Sequence, residues 1–459
     1  MSEVASPLVV PPPPTARSAR RERIVGRADR RRCRPRLSAR APQSHAADTV
    51  ESMVDDAEPR AVSVLGALDR ASLGVVMPRE MLLFDNSSLQ VAPSTLGLAK
   101  LRDAELSLHN LADLRANQLA VTANLRSPSL PILETELARL AVAGSPCTVV
   151  SIATGGRDPA GLVALARSTG VHIVMGVGLS HKAAAAAVAA ATASVVAAAT
   201  AANGHEELPS AAELLANQMV LELTTGVAVP GEGGVCAGVI GEIGTQHTER
   251  SETHATLLQA AAIAQMRTGA PIWCVLAPPE ANEAAPLPAS DTEAAAATLA
   301  AAEAAAAVRL MCAHGADARR VVLSHAQHLL GAPEALRSTL RLGCTLCFDG
   351  LGNGWAVAGA DSSTAPWAEP TSDGVVAREV AVLVREGFGG HGLGLGLPNP
   401  NPNPTSNHTI PSPTPSQVRE GFGGQLLLSC GVSATLQLAV FGGGGFGHVL
   451  ERVVLSPEP

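Results

Sequence analysis

The sequence predicts a (β/α)8 barrel, and three observations predict it. Eight short apolar runs rich in β-forming residues are distributed between residues 75 and 430. Alanine- and leucine-rich stretches with helical composition separate many of them. Most of the runs are continuously apolar rather than alternating, which is the pattern of a strand buried on both faces, and helical crossovers between such strands make them parallel. Eight strands in about 380 residues match one closed barrel, whose chemistry sits at the C-terminal strand ends.

The N-terminal stretch, residues 1–60, is set apart by composition. It holds four consecutive prolines at 11–14 and then "TARSARRERIVGRADRRRCRPRLSAR", in which eleven arginines face only Glu22 and Asp29. Such a leader is expected to be disordered, and its Arg- and Ser-rich, acid-poor character also fits an organelle transit peptide. It has no apolar h-region of a secretory signal, so a cytoplasmic or organellar location is expected rather than secretion. The barrel is expected over 61–459.

Its first strand lies in "LGVVMPREMLLFD" (73–85), an apolar run broken by Pro78-Arg79-Glu80. Then follow "CTVVSIAT" (147–154), "HIVMGVG" (172–178), "AGVIGEIG" (237–244), "PIWCVL" (271–276), "RVVLSH" (320–325), "CTLCFDG" (344–350) and "QLLLSC" (425–430). Residues 183–202 are uncharged and long enough to span a bilayer, but alanine inserts weakly, so a soluble Ala-rich helix or a low-complexity insertion is expected there. A second Ala-rich helix is expected over 293–308, started by the Ser290-x-x-Glu293 capping-box spacing and ending near Gly315. The heptapeptide "VREGFGG" occurs at 384–390 and again at 418–424, around a Pro/Asn-rich spacer. A low-complexity surface insertion is expected at about 391–424.

Composition narrows the partners. Hydrophobic residues make up 46% of the chain, enough for a large core, while aromatics are 2% and tyrosine is absent, so that core must be built from Leu, Val and Ala. The net charge of -8 disfavours nucleic acid and membrane surfaces as partners. Eight scattered cysteines do not form a dense disulfide framework, and a reducing compartment is expected. Cys344 and Cys347 lie along a predicted strand rather than at a helix start, and no second CxxC completes a zinc site, so both read as core thiols. The ending "FGGGGFGHVL" lacks the Lys and Ser/Thr of a phosphate loop and is expected to cover the barrel mouth.

Several stretches resemble the phosphotriesterase-related family of the amidohydrolase superfamily. They are "SVLGALDRASLGVVMPREMLLFD", the long run 124–178, "AGVIGEIGTQ", "TGAPIWCVL", "GADARRVVLSH", "LGCTLCFDGLG" and "GFGHVLERVV", in the family's order from about 62 to 456. The resemblance implies a TIM barrel of the metal-dependent hydrolase type, with two divalent ions, commonly zinc, sharing a hydroxide that attacks an ester, lactone, amide or phosphotriester. A metal held by protein ligands with an open position lowers the pKa of its bound water towards neutrality.

The family's ligands are His-x-His on strand 1, a bridging carboxylate or modified Lys on strand 4, one His each on strands 5 and 6, and Asp on strand 8. By resemblance, Glu242 and His325 are the metal ligands carried over at strands 4 and 6. Arg79 and Met81 stand at the two strand-1 histidines, Val275 at the strand-5 histidine, and Cys430-Gly431 at the family's His-Asp on strand 8. Two of six ligands are thus kept. Without the resemblance, Glu242 reads equally as a strand-end surface acid, His325 as a hydrogen-bonded core histidine and Cys430 as a buried thiol, with a soft zinc ligand as the alternative for Cys430. His247, His328 and Asp349 lie near predicted strand ends as candidate substitutes.

Arg79 would repel a dication and offer Glu242 an ion-pair partner. The expected function is therefore a metal-dependent hydrolase by lineage, impaired by the replaced ligands. The alternative is a non-catalytic barrel serving as a binding or regulatory protein. A small-molecule substrate or ligand is the expected partner, and a homodimer is the prior for assembly.

Overall fold

The computed structural model describes residues 61–91, 99–107, 109–153, 155–177, 181–201, 209–245, 251–276, 289–353, 372–388 and 424–454. All of them lie in the larger of two units, which spans 58–459. The basic leader and the expected insertion at 391–424 lie outside the described residues, apart from Gly424 at its end.

All eight predicted strands form: β1 (Val75–Glu80), β2 (Cys147–Ser151), β3 (His172–Val177), β4 (Val239–Gly244), β5 (Ile272–Val275), β6 (Val321–Ser324), β7 (Thr345–Phe348) and β8 (Leu426–Leu428). They make one sheet in sequential order, each parallel to the next. No β8–β1 ladder forms among the described residues. Instead the ring closes just beyond β8, where Met81 N–H donates to the Val432 carbonyl at 2.8 Å.

The β1–β2 register shifts between Met77 and Glu80. That irregularity spans Pro78, which has no N–H to give a ladder, so proline is tolerated in a strand at such a position. The interruption noticed in the sequence is thus a real break in pairing. It falls where β1 turns its last residues towards the C-terminal mouth.

Alternation along the strands separates two cores. Val150, Val174, Val239, Trp273, Val322, Cys347 and partly buried Leu427 come one from each of β2–β8 and pack together with Ile152, filling the lumen. The opposite faces, including Val149, Ile173, Ile240, Ile272, Leu323 and Leu346, pack against the helices. Because lumen and outer layer are both apolar, the strands read as unbroken hydrophobic runs.

The outer ring includes α1 (Leu130–Ala143), α2 (Pro159–Thr169), α3 (His181–Ala201), α4 (Ala211–Thr224), α5 (Glu252–Thr268), α6 (Ala289–Ala313), α7 (Pro333–Leu340) and α8 (Asp373–Leu383). Their ends carry local signals. Asp158 caps α2 through Gly161 N–H, Ser210 and Glu213 form a capping box on α4, and Gly170 and Gly269 end α2 and α5 in the left-handed conformation.

The expected helix after the Ser290-x-x-Glu293 spacing exists, but α6 begins at Ala289, so Ser290 lies inside it rather than at its cap. The helix thus starts four residues before the expected Glu293. Residues Ala294–Ala313 are long and apolar enough to cross a membrane by length and composition. In the fold Ala297, Ala300, Ala301, Ala304, Ala307, Val308 and Met311 are buried at three- and four-residue spacing, the stripe of a helix facing a core.

Candidate functional site

The C-terminal mouth of the barrel collects polar side chains from β1, β4, β6, β7 and the turns that follow. Arg79 on β1 is 3% exposed and reaches across the lumen to Glu242 on β4, 7% exposed. Its Nε donates to Glu242 Oε1 at 2.8 Å and its terminal nitrogen to Oε2 at 2.9 Å, a two-pronged pairing matched to the planar guanidinium. The same Nε lies 3.1 Å from Asp349 Oδ2, just beyond β7. Ser324, at the end of β6, can donate to Glu242 Oε1 at 2.7 Å.

Asp349 carries the network outwards. Its Oδ1 is 2.8 Å from His325 Nδ1 and accepts from Gln327 at 3.1 Å, while Oδ2 accepts from the His325 backbone N–H at 3.2 Å. His325 is the one non-glycine described residue with a positive φ, at 60°. Asp349 thus holds both backbone and ring of a residue in a conformation that side chains rarely adopt. The imidazole remains about 30% exposed, whereas Arg79, Glu242 and Asp349 are buried.

The charges of the cluster set one another. Burial favours the neutral form of Arg79, but Glu242 and Asp349 beside it hold the guanidinium firmly charged. Burial raises the Glu242 carboxyl, yet Arg79 more than offsets this and its pKa is lowered. Asp349 follows the same pattern, with burial opposed by His325 and Arg79, and falls well below the carboxylate range. Burial pushes His328, whose ring is 5.8 Å from that of His325, down to about 4, which leaves it neutral near pH 7.

Glu80, one residue from Arg79, enters a different setting. It is fully buried at the seam between β1 and β8, where Oε1 accepts from Ser429 Oγ at 2.8 Å and from Cys430 and Gly431 N–H at 2.9 and 3.2 Å. Its Oε2 accepts from Val432 N–H at 2.7 Å. Burial outweighs these four donors and pushes Glu80 up to about 7. Ser429 also accepts from Arg79 N–H at 3.0 Å, so both halves of the triplet fasten β1 to the segment after β8.

The residues singled out in the sequence therefore separate. Glu242 is not a surface acid, and it meets Arg79 in the expected ion pair. His325 joins the same network through Asp349, although 30% exposure distinguishes it from a core histidine. His247 lies outside the described residues. Met81 packs with Phe84 and Ala153, and Cys430 is a buried thiol directed at the Phe446 carbonyl at 3.4 Å. Cys344 and Cys347 are likewise buried and free. Sequence reasoning gave no role to Glu80, Ser324 or Ser429. For Glu80 a signal was available: an acid inside an apolar run beside the arginine.

The residues present do not fit a pair of divalent ions. The guanidinium occupies both Glu242 oxygens, and among the described residues no three His, Cys, Asp or Glu side chains converge as a ligand set. Gly431, at the position of the family's strand-8 Asp, has φ +64°, and a Cβ there would come within 2.6 Å of the Gly350 nitrogen. No carboxylate can be carried at that position without moving the backbone.

Comparison with known proteins gives the lineage. A model of the phosphotriesterase family matches residues 59–388. The N-acetyltaurine hydrolase of Rattus norvegicus is 26% identical over 332 residues, covering 71% of this chain and 80% of that protein. The N-acetyltaurine hydrolase of Danio rerio is 24% identical over 404 residues, covering 85% and 89%. Among solved structures, a resiniferatoxin-binding protein from Rhodobacter sphaeroides aligns with a TM-score of 0.60 at 22% identity, covering 86% of this chain and 87% of that one, a likeness of fold.

Proposed function

The chain belongs to the phosphotriesterase family, and from that premise we propose that it is a small-molecule hydrolase by descent whose metal-dependent turnover is impaired. The bond class is that of the family reading: an amide, ester, lactone or phosphotriester. Similarity to two N-acetyltaurine hydrolases favours the amide of a small acylated acid within that class. The observation carrying the impairment is the Arg79 fork on Glu242, which takes the bridging carboxylate out of service.

What the chain itself offers a ligand is more limited than a metal-bound hydroxide. His325, fixed through Nδ1 by Asp349 and partly open to solvent, can exchange a hydrogen bond with a carbonyl or acid group at the mouth. Burial of Glu242 and Asp349 behind Arg79 leaves neither carboxylate disposed to take a proton from water at neutral pH.

The test is a hydrolysis panel on the full chain: N-acetyltaurine, other N-acyl amino acids, lactones, aryl esters and a phosphotriester, each with and without added zinc or manganese. Slow or undetectable turnover together with a thermal shift from one substrate class supports the proposal. Rapid turnover abolished by a chelator would sink the impairment, and neither turnover nor binding across the panel would sink the hydrolase descent as a guide to function.

A further inference from the structure

We propose that the Arg79 guanidinium is the permanent cation of this barrel, standing by charge where divalent ions stand in its family, so that the chain folds and persists without metal. The proposal goes beyond the functional reading and is tested by a different readout.

Every carboxylate oxygen of the cluster is already engaged. Glu242 Oε1 meets Arg79 Nε and the Ser324 hydroxyl, and Oε2 meets the terminal guanidinium nitrogen. Asp349 Oδ1 meets His325 Nδ1 and Gln327, and Oδ2 meets Arg79 Nε and the His325 N–H. A divalent ion coordinated by either carboxylate would displace part of this set.

Displacement has nowhere to lead. Arg79 is buried, and its own backbone is tied to Ser429, whose hydroxyl oxygen accepts the Arg79 N–H at 3.0 Å. A dication left beside the guanidinium would be repelled across a low-dielectric lumen, where Coulomb energies are several times those in water. Conversely, two buried carboxylates without any cation would be costly to keep charged, so some positive group is required here. Arg79 supplies it from within the chain.

The experiment uses the full chain, purified from zinc-supplemented cells and dialysed. Metal per chain is measured by plasma mass spectrometry, and thermal unfolding is followed with EDTA and with added zinc. Under about 0.1 equivalent of any divalent metal, with a midpoint that neither addition moves, is expected of a protein that has no native-state metal site. Near-stoichiometric zinc whose removal lowers the midpoint overturns the proposal.

Two variants sharpen the reading. Arg79→Met is expected to unfold several degrees lower and to stay metal-free; a midpoint equal to the wild type overturns the role given to the guanidinium. Should Arg79→Met not fold, Arg79→Lys keeps a cation without the fork: folded and metal-free, it supports the proposal, whereas folding only with bound zinc overturns it. The wild-type metal measurement decides the matter even if neither variant folds. A metal-free chain that hydrolyses the panel rapidly would sink the impairment and leave this inference standing, and a zinc-loaded inactive chain would do the reverse.

Discussion

Arg79 and Glu80 are adjacent in the chain yet lie in two opposite electrostatic regions. The first reaches into the lumen, where Glu242 and Asp349 arrive from β4 and β7 with opposite charge. The second reaches the β1–β8 seam, where its four partners are a hydroxyl and three backbone N–H groups. Both side chains are buried, but only the lumen charge is matched by full countercharges. The difference teaches that burial does not decide ionisation alone: paired carboxylates are driven down, and the carboxylate held by neutral donors is driven up to about 7.

The largest break in this comparison should come from Arg79→Met. It leaves two buried carboxylates facing each other, and removing one partner of a buried pair typically costs about 3–5 kcal/mol. Urea unfolding at pH 7 should show that loss. A change near zero would mean the lumen relaxes to admit water or protons freely.

The two regions should also impose opposite pH slopes. Glu80 has a folded pKa near 7, above its unfolded value of 4.5, so its contribution is intact below about 4.5 and declines as pH rises to about 7. The decline is on the order of 3 kcal/mol for a shift of that size. Glu242 and Asp349 have lowered pKa values, so their contribution is present above the ordinary carboxylate range and is lost as pH falls through their folded values. Chemical denaturation across pH 3–8 should therefore show a maximum near the acid end. Glu80→Gln should flatten the limb above about 4.5 and leave the acid limb in place; an unchanged upper limb would show that Glu80 is not its source.

A smaller effect should come from Ser429→Ala. That change removes one donor to Glu80 and one acceptor of the Arg79 N–H, and a net loss of about 1–2 kcal/mol is expected from such bonds. Because it removes a donor to the carboxylate, it should also raise the Glu80 pKa further and extend the limb to higher pH. A loss without that extension would place Ser429 in packing rather than in the seam's electrostatics.

Much of this molecule was legible in its order of residues. Eight doubly buried strands announced themselves as unbroken apolar runs, because a barrel strand has a lumen side and a helix side that both exclude water. Arg79 and Glu242 were legible for the opposite reason, as charges placed in such runs, where burial without a partner is costly. Their pairing could be expected once both were placed at the same barrel mouth. Helix starts were less legible: α6 begins before Ser290 despite the capping-box spacing, since more than one nearby residue can start a helix at little cost.

Tertiary structure alone decided the rest. Asp349 is an ordinary acid near a strand end until the closed barrel brings Arg79, His325 and Gln327 to it. Glu80 and Ser429 are separated by 349 positions and meet only because ring closure places β1 beside the segment after β8. Gly431 reads as a missing ligand in sequence, but its backbone lies too close to Gly350 for any side chain. The sequence by itself determined which residues must be buried, since that follows from local hydrophobic pattern. Only the tertiary structure decided which buried charge found which partner, because Coulomb and hydrogen-bond energies depend on distances that the chain acquires when the ring closes.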